Sequence, residues 1–156
     1  MESKVVVSRD LQQNLAALKK LAPQAVKDAV NLHALNIQTA AKRNLTNVPA
    51  VDTGQLRASV KVVAFNDGFA RRIGTDVQHG RYIEFGTAPH FPPVAPIREW
   101  CRRHGIPESA AFLIARSISR KGTPAKPWLF PSFEEERPNF DNLIREAFRR
   151  VVGGLS

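Results

Sequence analysis

Apolar side chains recur at helical spacing along the first third of the chain. Leu11, Leu15 and Leu18 follow this spacing until Pro23 interrupts it. Because proline is tolerated in the first turn of a helix but not in its interior, the pattern predicts a short helix to about Lys20 and a second helix that starts near Pro23. The second helix is expected to end near residue 45 and to bury one face. That face carries Val26, Ala29, Val30, His33, Ile37, Ala40 and Ala41.

A β-hairpin is predicted in the middle of the chain. Residues Gln55–Phe65 show an alternation of apolar and polar positions that is typical of a half-buried strand. Asn66–Gly68 is a strong hairpin signal, and Phe69–Thr75 is expected to form the return strand. Alternation in the return strand places Arg71 on the same face as Ile73, which suits an edge or an interface better than a sealed core.

Two segments are expected to end on a glycine with a positive φ angle. The first is the predicted loop Thr46–Gly54, in which Asp52 and Thr53 suit a turn. The second is Tyr82–Phe85, an apolar anchor that is too short to distinguish a helical turn from a strand by periodicity. A helical turn is favoured because the glycine that follows Phe85 is well placed to cap a helix C-terminus.

Prolines divide the last third of the chain. Four of them lie within residues 89–96, which excludes a central strand and predicts an extended surface path. Helices are predicted over residues 96–104 and 110–120, each ended by a glycine. The last helix either begins at Pro131 and bends at Pro138, or follows a turn and begins at Pro138.

Composition indicates a single domain with a strong positive charge. The 156 residues carry a net charge of +9, which suggests an acidic partner such as nucleic acid. No apolar run approaches the roughly 18 residues that a membrane span requires. The first seven residues are too short and too polar for a signal peptide, and one cysteine cannot form an internal disulfide. Synthesis in a reducing cytoplasm is therefore expected.

Candidate catalytic and metal-binding residues are few. Cys101 and His104 are spaced to share a helix face, but the sequence offers no second close pair for a zinc module and no orienting acid for a catalytic thiol. The run Glu134–Glu136 fits a solvated first helical turn. We interpret His33 as a packed histidine at the edge of the core. These observations predict no enzyme, no cofactor and no metal site.

Three short segments stand in order along the chain. They are Asp52–Val60, Tyr82–Thr87 and Pro127–Phe133. Together they resemble the neck and tail-completion family of long-tailed bacteriophages, whose members show TG-x-L-R-x-S, Y-x-x-x-E-F-G-T and P-F/W-L-x-P-A/S segments. The resemblance covers residues 8–150, and this chain departs from compact members by a basic two-helix insertion over residues 88–126.

The resemblance implies a fold and a place of action. The fold is α+β, a single domain in which long N-terminal and C-terminal helices pack on a small antiparallel sheet, with residues 88–126 as a Pro-rich basic insertion. The function implied is that of a structural virion protein at the head–tail junction, made in the host bacterial cytoplasm. Such subunits form a ring, here expected to hold six or twelve copies, between the head-closure or connector protein and the tail terminator or tail tube protein. The ring lines the channel through which viral DNA passes, and no membrane contact is implied.

The resemblance also assigns roles to individual residues. Glu84 is expected to pair with Arg57, Arg81 or a neighbouring subunit. Tyr82 and Phe85 are expected to build a packed corner. The structural and interaction residues so predicted are Thr53, Gly54, Leu56, Arg57, Tyr82, Glu84, Phe85, Gly86, Thr87, Trp100, Pro127, Trp128 and Leu129. Exposed apolar anchors for neighbouring subunits are expected at Tyr82, Phe91, Trp128 and Phe130, and DNA-facing cations at Arg71, Arg72, Arg102, Arg103, Arg116, Arg120 and Lys121.

The alternative interpretation is a small basic nucleic-acid-binding module. Residues 96–121 have the outline of a helix-turn-helix, but the arginines of the second helix lie at its C-terminal end, whereas recognition helices read bases from their N-terminal residues. A base-reading module would prefer its own site over random DNA by roughly 10³ or more, whereas a ring would bind DNA weakly and without sequence preference.

Overall fold

The computed structural model describes residues 9–47 and 52–154. Within these residues the chain is mostly helical with a small two-stranded antiparallel sheet, which confirms the predicted α+β class. The predicted non-signal N-terminus and residues 48–51 of the predicted loop lie outside the described residues. The elements are α1 (Arg9–Asn47), α2 (Gln55–Ser59), β1 (Lys61–Phe65), β2 (Ala70–Gly74), α3 (His79–Phe85), α4 (Val94–Arg103), α5 (Ala110–Lys121) and α6 (Phe130–Gly153).

Prolines lie inside both of the long helices. The prediction of a helix break before Pro23 is wrong, because α1 runs through that residue without interruption. Pro23 and Lys19 are both exposed, so water can hydrate the Lys19 carbonyl that would otherwise accept the missing N–H. Helix α6 begins at Phe130 and contains Pro138, which agrees with the first of the two predicted alternatives.

The segment before β1 is helical, and its prediction as part of the strand is wrong. Gly54 has φ 75°, as expected, and its carbonyl accepts the N–H of Ala58 at 3.0 Å to close one helical turn. This turn, α2, buries Leu56 while its neighbours stay exposed. One buried residue per turn is a helical arrangement, and the alternation that predicted a strand applies only from Lys61 onward.

The described residues divide into two compact units. The first is made of residues 9–37, 62–73 and 134–154. Its hairpin turns at Asn66–Gly68, as predicted, and all three residues have positive φ angles. Lys27 Nζ lies 4.8 Å from the centre of the Phe69 ring, and Arg71 Nε donates to Asn31 Oδ1 at 3.0 Å. These contacts hold the return strand against α1 and leave Arg71 half-buried.

The second unit is made of residues 38–61 and 74–133. Helices α4 and α5 pack against each other within it, and their ends lie within two residues of the predicted bounds. Gln38 Nε2 donates to the carbonyl of Val60 at 2.8 Å, which fixes the entry to the hairpin. The buried apolar residues of this unit are Ala40, Ala41, Leu45, Leu56, Val60, Cys101, Ala111, Ala115 and Trp128.

Candidate functional site

Helix α3 carries the first four residues of the second motif. It ends at Phe85, so the predicted helical turn is confirmed. Gly86 follows with φ 70°, and a Cβ at this position would lie 2.4 Å from the carbonyl oxygen of Thr123. Glycine is therefore required here by both the backbone angle and the close approach of a second chain segment.

That second segment pairs with the first through a repeated Gly-Thr sequence. The N–H of Thr87 donates to the Thr123 carbonyl at 3.1 Å, and the N–H of Thr123 donates to the Thr87 carbonyl at 3.2 Å. Their hydroxyl oxygens lie 3.0 Å apart. Gly122 has φ 69°, and a Cβ there would lie 1.9 Å from the Thr87 carbonyl oxygen. The two ends of the segment predicted to form an insertion are therefore brought together at one backbone bridge within the second unit.

The side chain of Glu84 links α3 to the start of α6. Its Oε2 accepts the backbone N–H of Trp128 at 2.7 Å and that of Leu129 at 2.9 Å, and its Oε1 accepts the N–H of Phe130 at 2.9 Å. The first N–H groups of a helix have no carbonyl partner within the helix, and the helix dipole favours a negative charge beside them. Glu84 is only 7% exposed. It therefore acts as a buried cap for a helix that begins 46 residues further along the chain.

This geometry corrects the expected partner of Glu84. In the described part of the chain its carboxylate is occupied by backbone N–H groups rather than by an arginine. Arg57 instead donates to Thr46 Oγ1 at 3.1 Å, and the Arg81 guanidinium lies 5.7 Å from the centre of the Tyr82 ring. Sequence spacing could not identify the partner, because backbone donors carry no residue signature.

Trp128 is the apolar centre of the same site. It is 2% exposed, so its prediction as an exposed anchor is wrong. Its indole Nε1 donates to the Gly80 carbonyl at 3.1 Å, which satisfies the polar end of a buried ring. The hydroxyl of Ser132 donates a hydrogen bond to the carbonyl of Trp128 at 2.7 Å. The same hydroxyl accepts a hydrogen bond from Asn44 Nδ2 at 2.9 Å. Sequence reasoning missed Gly80, Ser132 and Asn44.

The aromatic residues of α3 are exposed, which contradicts the predicted packed corner. Phe85 is 77% exposed and Tyr82 is 43% exposed. Phe85 lines two hollows of about 1020 Å³ and 480 Å³. Trp100 and Ile118 contribute to the larger hollow. The smaller one is lined by aromatic rings at the start of α6, Phe130 and Phe133, with Trp128 and Leu129.

The predicted DNA-facing cations fall into two groups. Arg71 is held by Asn31 and by the carbonyls of Gly68 and Ala70. Arg102 donates to Glu99 and to Glu108, both at 3.0 Å, and Arg103 Nε donates to Asp52 Oδ1 at 2.9 Å. These three arginines form the first group, whose guanidinium groups bind other groups of the chain.

The second group has exposed side chains that bind no acid named above. It consists of Arg72, whose guanidinium lies 5.6 Å from the Phe65 ring centre, and of Arg116, Arg120 and Lys121.

The arginines of α4 lower the pKa of the acids with which they pair. The hydrogen bond from Arg103 lowers the pKa of Asp52, and the hydrogen bond from Arg102 lowers the pKa of Glu108. Both carboxylates therefore remain charged at neutral pH and neutralise the cations beside them. These pairs are largely exposed, so each contributes little to folding stability.

The remaining predicted residues occupy supporting positions. Thr53 Oγ1 accepts the backbone N–H of Gln55 at 3.4 Å. The Trp100 ring stacks on His104 with 4.5 Å between ring centres. Pro127 is exposed and Leu129 is half-buried. Among residues 9–47 and 52–154, no group of three His, Cys, Asp or Glu side chains is placed to hold a metal ion, and no helix is long and apolar enough to cross a bilayer.

Comparison with known proteins assigns the chain to a family. The sequence model described as "Bacteriophage HK97-gp10, putative tail-component" matches residues 9–86, from the start of α1 to Gly86 in the second motif. No curated protein and no solved structure matches the chain. The matched half contains the first motif and all of the second except Thr87, in agreement with the resemblance to phage neck and tail-completion proteins. This chain therefore belongs to the HK97-gp10-like family of bacteriophage tail components.

Proposed function

We propose that this tail component is a ring subunit of the phage head–tail junction that joins the DNA-filled head to the tail. The observation that carries the proposal is the exposure of Phe85, 77% of which is open to solvent within the motif that ends the family match. Tyr82, Phe91 and Phe130 are also exposed in the same unit. Large aromatic side chains are enriched in protein interfaces, and their clustering on a surface marks contact with other proteins.

The proposed neighbours are other virion proteins. Copies of this chain contact one another around a ring of six or twelve subunits, and one face of the ring meets the head-closure or connector protein. The other face meets the tail terminator or the tail tube. A closed ring lets one small chain span the whole circumference of the junction by repeating a single contact.

The ring also lines the channel for viral DNA. The chain carries a net charge of +9, and Arg72, Arg120 and Lys121 are exposed. Arg71, Arg102 and Arg103 already form hydrogen bonds with other groups of the chain. Arg72, Arg120 and Lys121 are therefore the better candidates for contact with phosphate. Such contact is sequence-blind and weakens steeply with salt, which allows DNA to pass without being held at one site.

Electron microscopy of lysates from a phage in which this gene is silenced tests the proposal. We expect filled heads and separate tails, and we expect the purified chain to restore joined, infectious particles. Adding the chain first to heads alone and then to tails alone identifies the structure that it binds. Intact infectious particles without the chain would refute a role at the junction. In that case, tight binding of one duplex over random DNA would favour the basic nucleic-acid-binding module.

A further inference from the structure

Helix α5 has an outer face that its packing does not use. Ala111 and Ala115 are buried on the inner face, whereas Phe112 is 55% exposed and Leu113 is 63% exposed. Arg116 lies one turn further along and is also exposed. Residues four apart on a helix are neighbours on its surface, so Arg116 lies beside Phe112. The sequence of α5 contains no acidic residue, and its own helix therefore does not neutralise this cation.

The first turn of α6 has the complementary composition. Phe130 is 65% exposed and Phe133 is 40% exposed, and both line the hollow of about 480 Å³ that also includes Phe85. Glu134 follows Phe133 in the same helix and is exposed. Its Oε2 lies 3.8 Å from Arg137 Nη1. An exposed ion pair at this distance is weak, so Glu134 is available for a stronger partner.

We propose that the outer face of α5 in one copy docks on the first turn of α6 in the next copy. Phe112 and Leu113 cover Phe130 and Phe133, and Arg116 pairs with Glu134. This proposal rests on the proposed ring and specifies its subunit contact. The two surfaces differ, so the contact is head-to-tail, and a head-to-tail contact generates a ring when its rotation closes.

The charge and the apolar side chains on the outer face of α5 together favour a second copy of this chain as its binding partner. A DNA backbone would pair with Arg116 but would leave the ring of Phe112 and the side chain of Leu113 in water. The rings of Phe91 and Phe112 lie 6.2 Å apart, which enlarges the apolar part of this face. A partner surface with two apolar side chains beside an acid would cover the apolar part of this face and also pair with Arg116. The first turn of α6 supplies that combination.

A charge-swap experiment on the full-length chain tests the contact. The mass of the purified protein is measured by light scattering after size exclusion, over a concentration series. We expect the unchanged chain to form a closed oligomer. Arg116→Glu and Glu134→Arg, made separately, should each weaken association by at least about tenfold, because each places like charges opposite one another. The double variant, which restores opposite charges, should regain most of the lost association.

Matched variants distinguish loss of this contact from the effect of any charge reversal on α6 and from loss of the fold. Arg149→Glu reverses an exposed arginine of α6 away from the first turn, and we expect it to keep the oligomer. Phe112→Ser with Leu113→Ser should dissociate the oligomer without changing any charge. This second variant also tests the contact if Glu134→Arg weakens the start of α6. Circular dichroism of each variant verifies that the fold is retained.

Several results would overturn the proposal. These are a monomeric unchanged chain, single reversals that keep the oligomer, or a double variant that is no more associated than its parents. Loss of duplex DNA affinity in Arg116→Glu with an intact oligomer would assign the face to DNA. If the single reversals dissociate the purified oligomer and the silenced phage still makes joined particles, the contact stands and the proposed function fails. If joining requires the chain but tolerates both reversals, the proposed function stands and the contact fails.

Discussion

Glu84 Oε2 accepts the backbone N–H of Trp128 at 2.7 Å across a separation of 44 residues. The same carboxylate holds the N–H groups of Leu129 and Phe130. The acid of the second motif therefore caps the helix that the third motif begins. The two motifs are parts of one site, and the residues between them leave and return through the bridge between Thr87 and Thr123.

Removal of the Glu84 carboxylate should destabilise the protein strongly. Glu84→Ala leaves buried backbone N–H groups without an acceptor, and we expect a loss of about 2–4 kcal/mol in the free energy of unfolding. Glu84→Gln keeps one carbonyl oxygen but turns an NH₂ group towards a donor, and should cost about 1–2 kcal/mol. Urea denaturation measures both. Glu146→Gln, at an exposed position of α6, is the control, and an equal loss in all three variants would refute the capping role.

A series of glycine substitutions should separate backbone strain from steric clash. Gly86→Ala combines a φ of 70° with a methyl group that would clash with the Thr123 carbonyl oxygen, and we expect a loss above about 3 kcal/mol in the free energy of unfolding, or failure to fold. Gly54→Ala meets a φ of 75° but open space, and should cost about 1–2 kcal/mol. Gly74→Ala meets neither obstacle. Thermal unfolding should rank the three in this order, and a Gly86→Ala protein as stable as Gly74→Ala would contradict the observed bridge.

His33 should make the protein less stable as the pH falls. Burial lowers the pKa of His33 below its ordinary value of 6.5, against a smaller opposing effect from Glu136. Its ring lies 4.9 Å from that of Phe140, and its Nδ1 has no hydrogen-bond partner among the described residues. Between the lowered pKa of the folded chain and about pH 6.5, the unfolded chain therefore binds more protons than the folded chain, which favours unfolding as the pH falls through this interval.

The variant His33→Phe tests this linkage. Its apolar ring removes the titrating group and keeps contact with Phe140. Urea denaturation at about pH 7.5 and about pH 5.5 should show a smaller loss of stability in the variant than in the unchanged chain over this interval. An identical loss in both proteins would show that His33 does not contribute.

Cys101 should be inert in the folded protein. It is fully buried, and a thiol reagent requires solvent access to the sulfur. We expect a colorimetric thiol reagent to modify the native chain far more slowly than the urea-unfolded chain. The reaction should accelerate through the unfolding transition. Fast modification under native conditions, with the fold verified by circular dichroism, would contradict the observed burial.

Local features of this protein followed from the sequence. The hairpin turn at Asn66–Gly68, the end of α3 at Gly86 and the bounds of α5 depend on residues within a few positions of one another. The order of the motifs was sufficient to indicate a phage tail-related family, which the match over residues 9–86 confirmed. Local steric preferences and short sequence segments carry this information directly.

Tertiary structure decided the features that depend on distant partners. Pro23 stays inside α1 although local propensity favours a break, and its exposed position lets water hydrate the carbonyl of Lys19. The burial of Trp128, the exposure of Phe85 and the backbone partners of Glu84 arise from segments far apart in the chain. Backbone N–H groups have the same chemistry in almost every residue, so the sequence indicated Arg57, Arg81 or a neighbouring subunit as the partner of Glu84 and not the backbone of residues 128–130. By itself the sequence determined the local turns, the ends of α3, α4 and α5 and the family, whereas packing between distant segments decided which side chains are buried, paired or exposed.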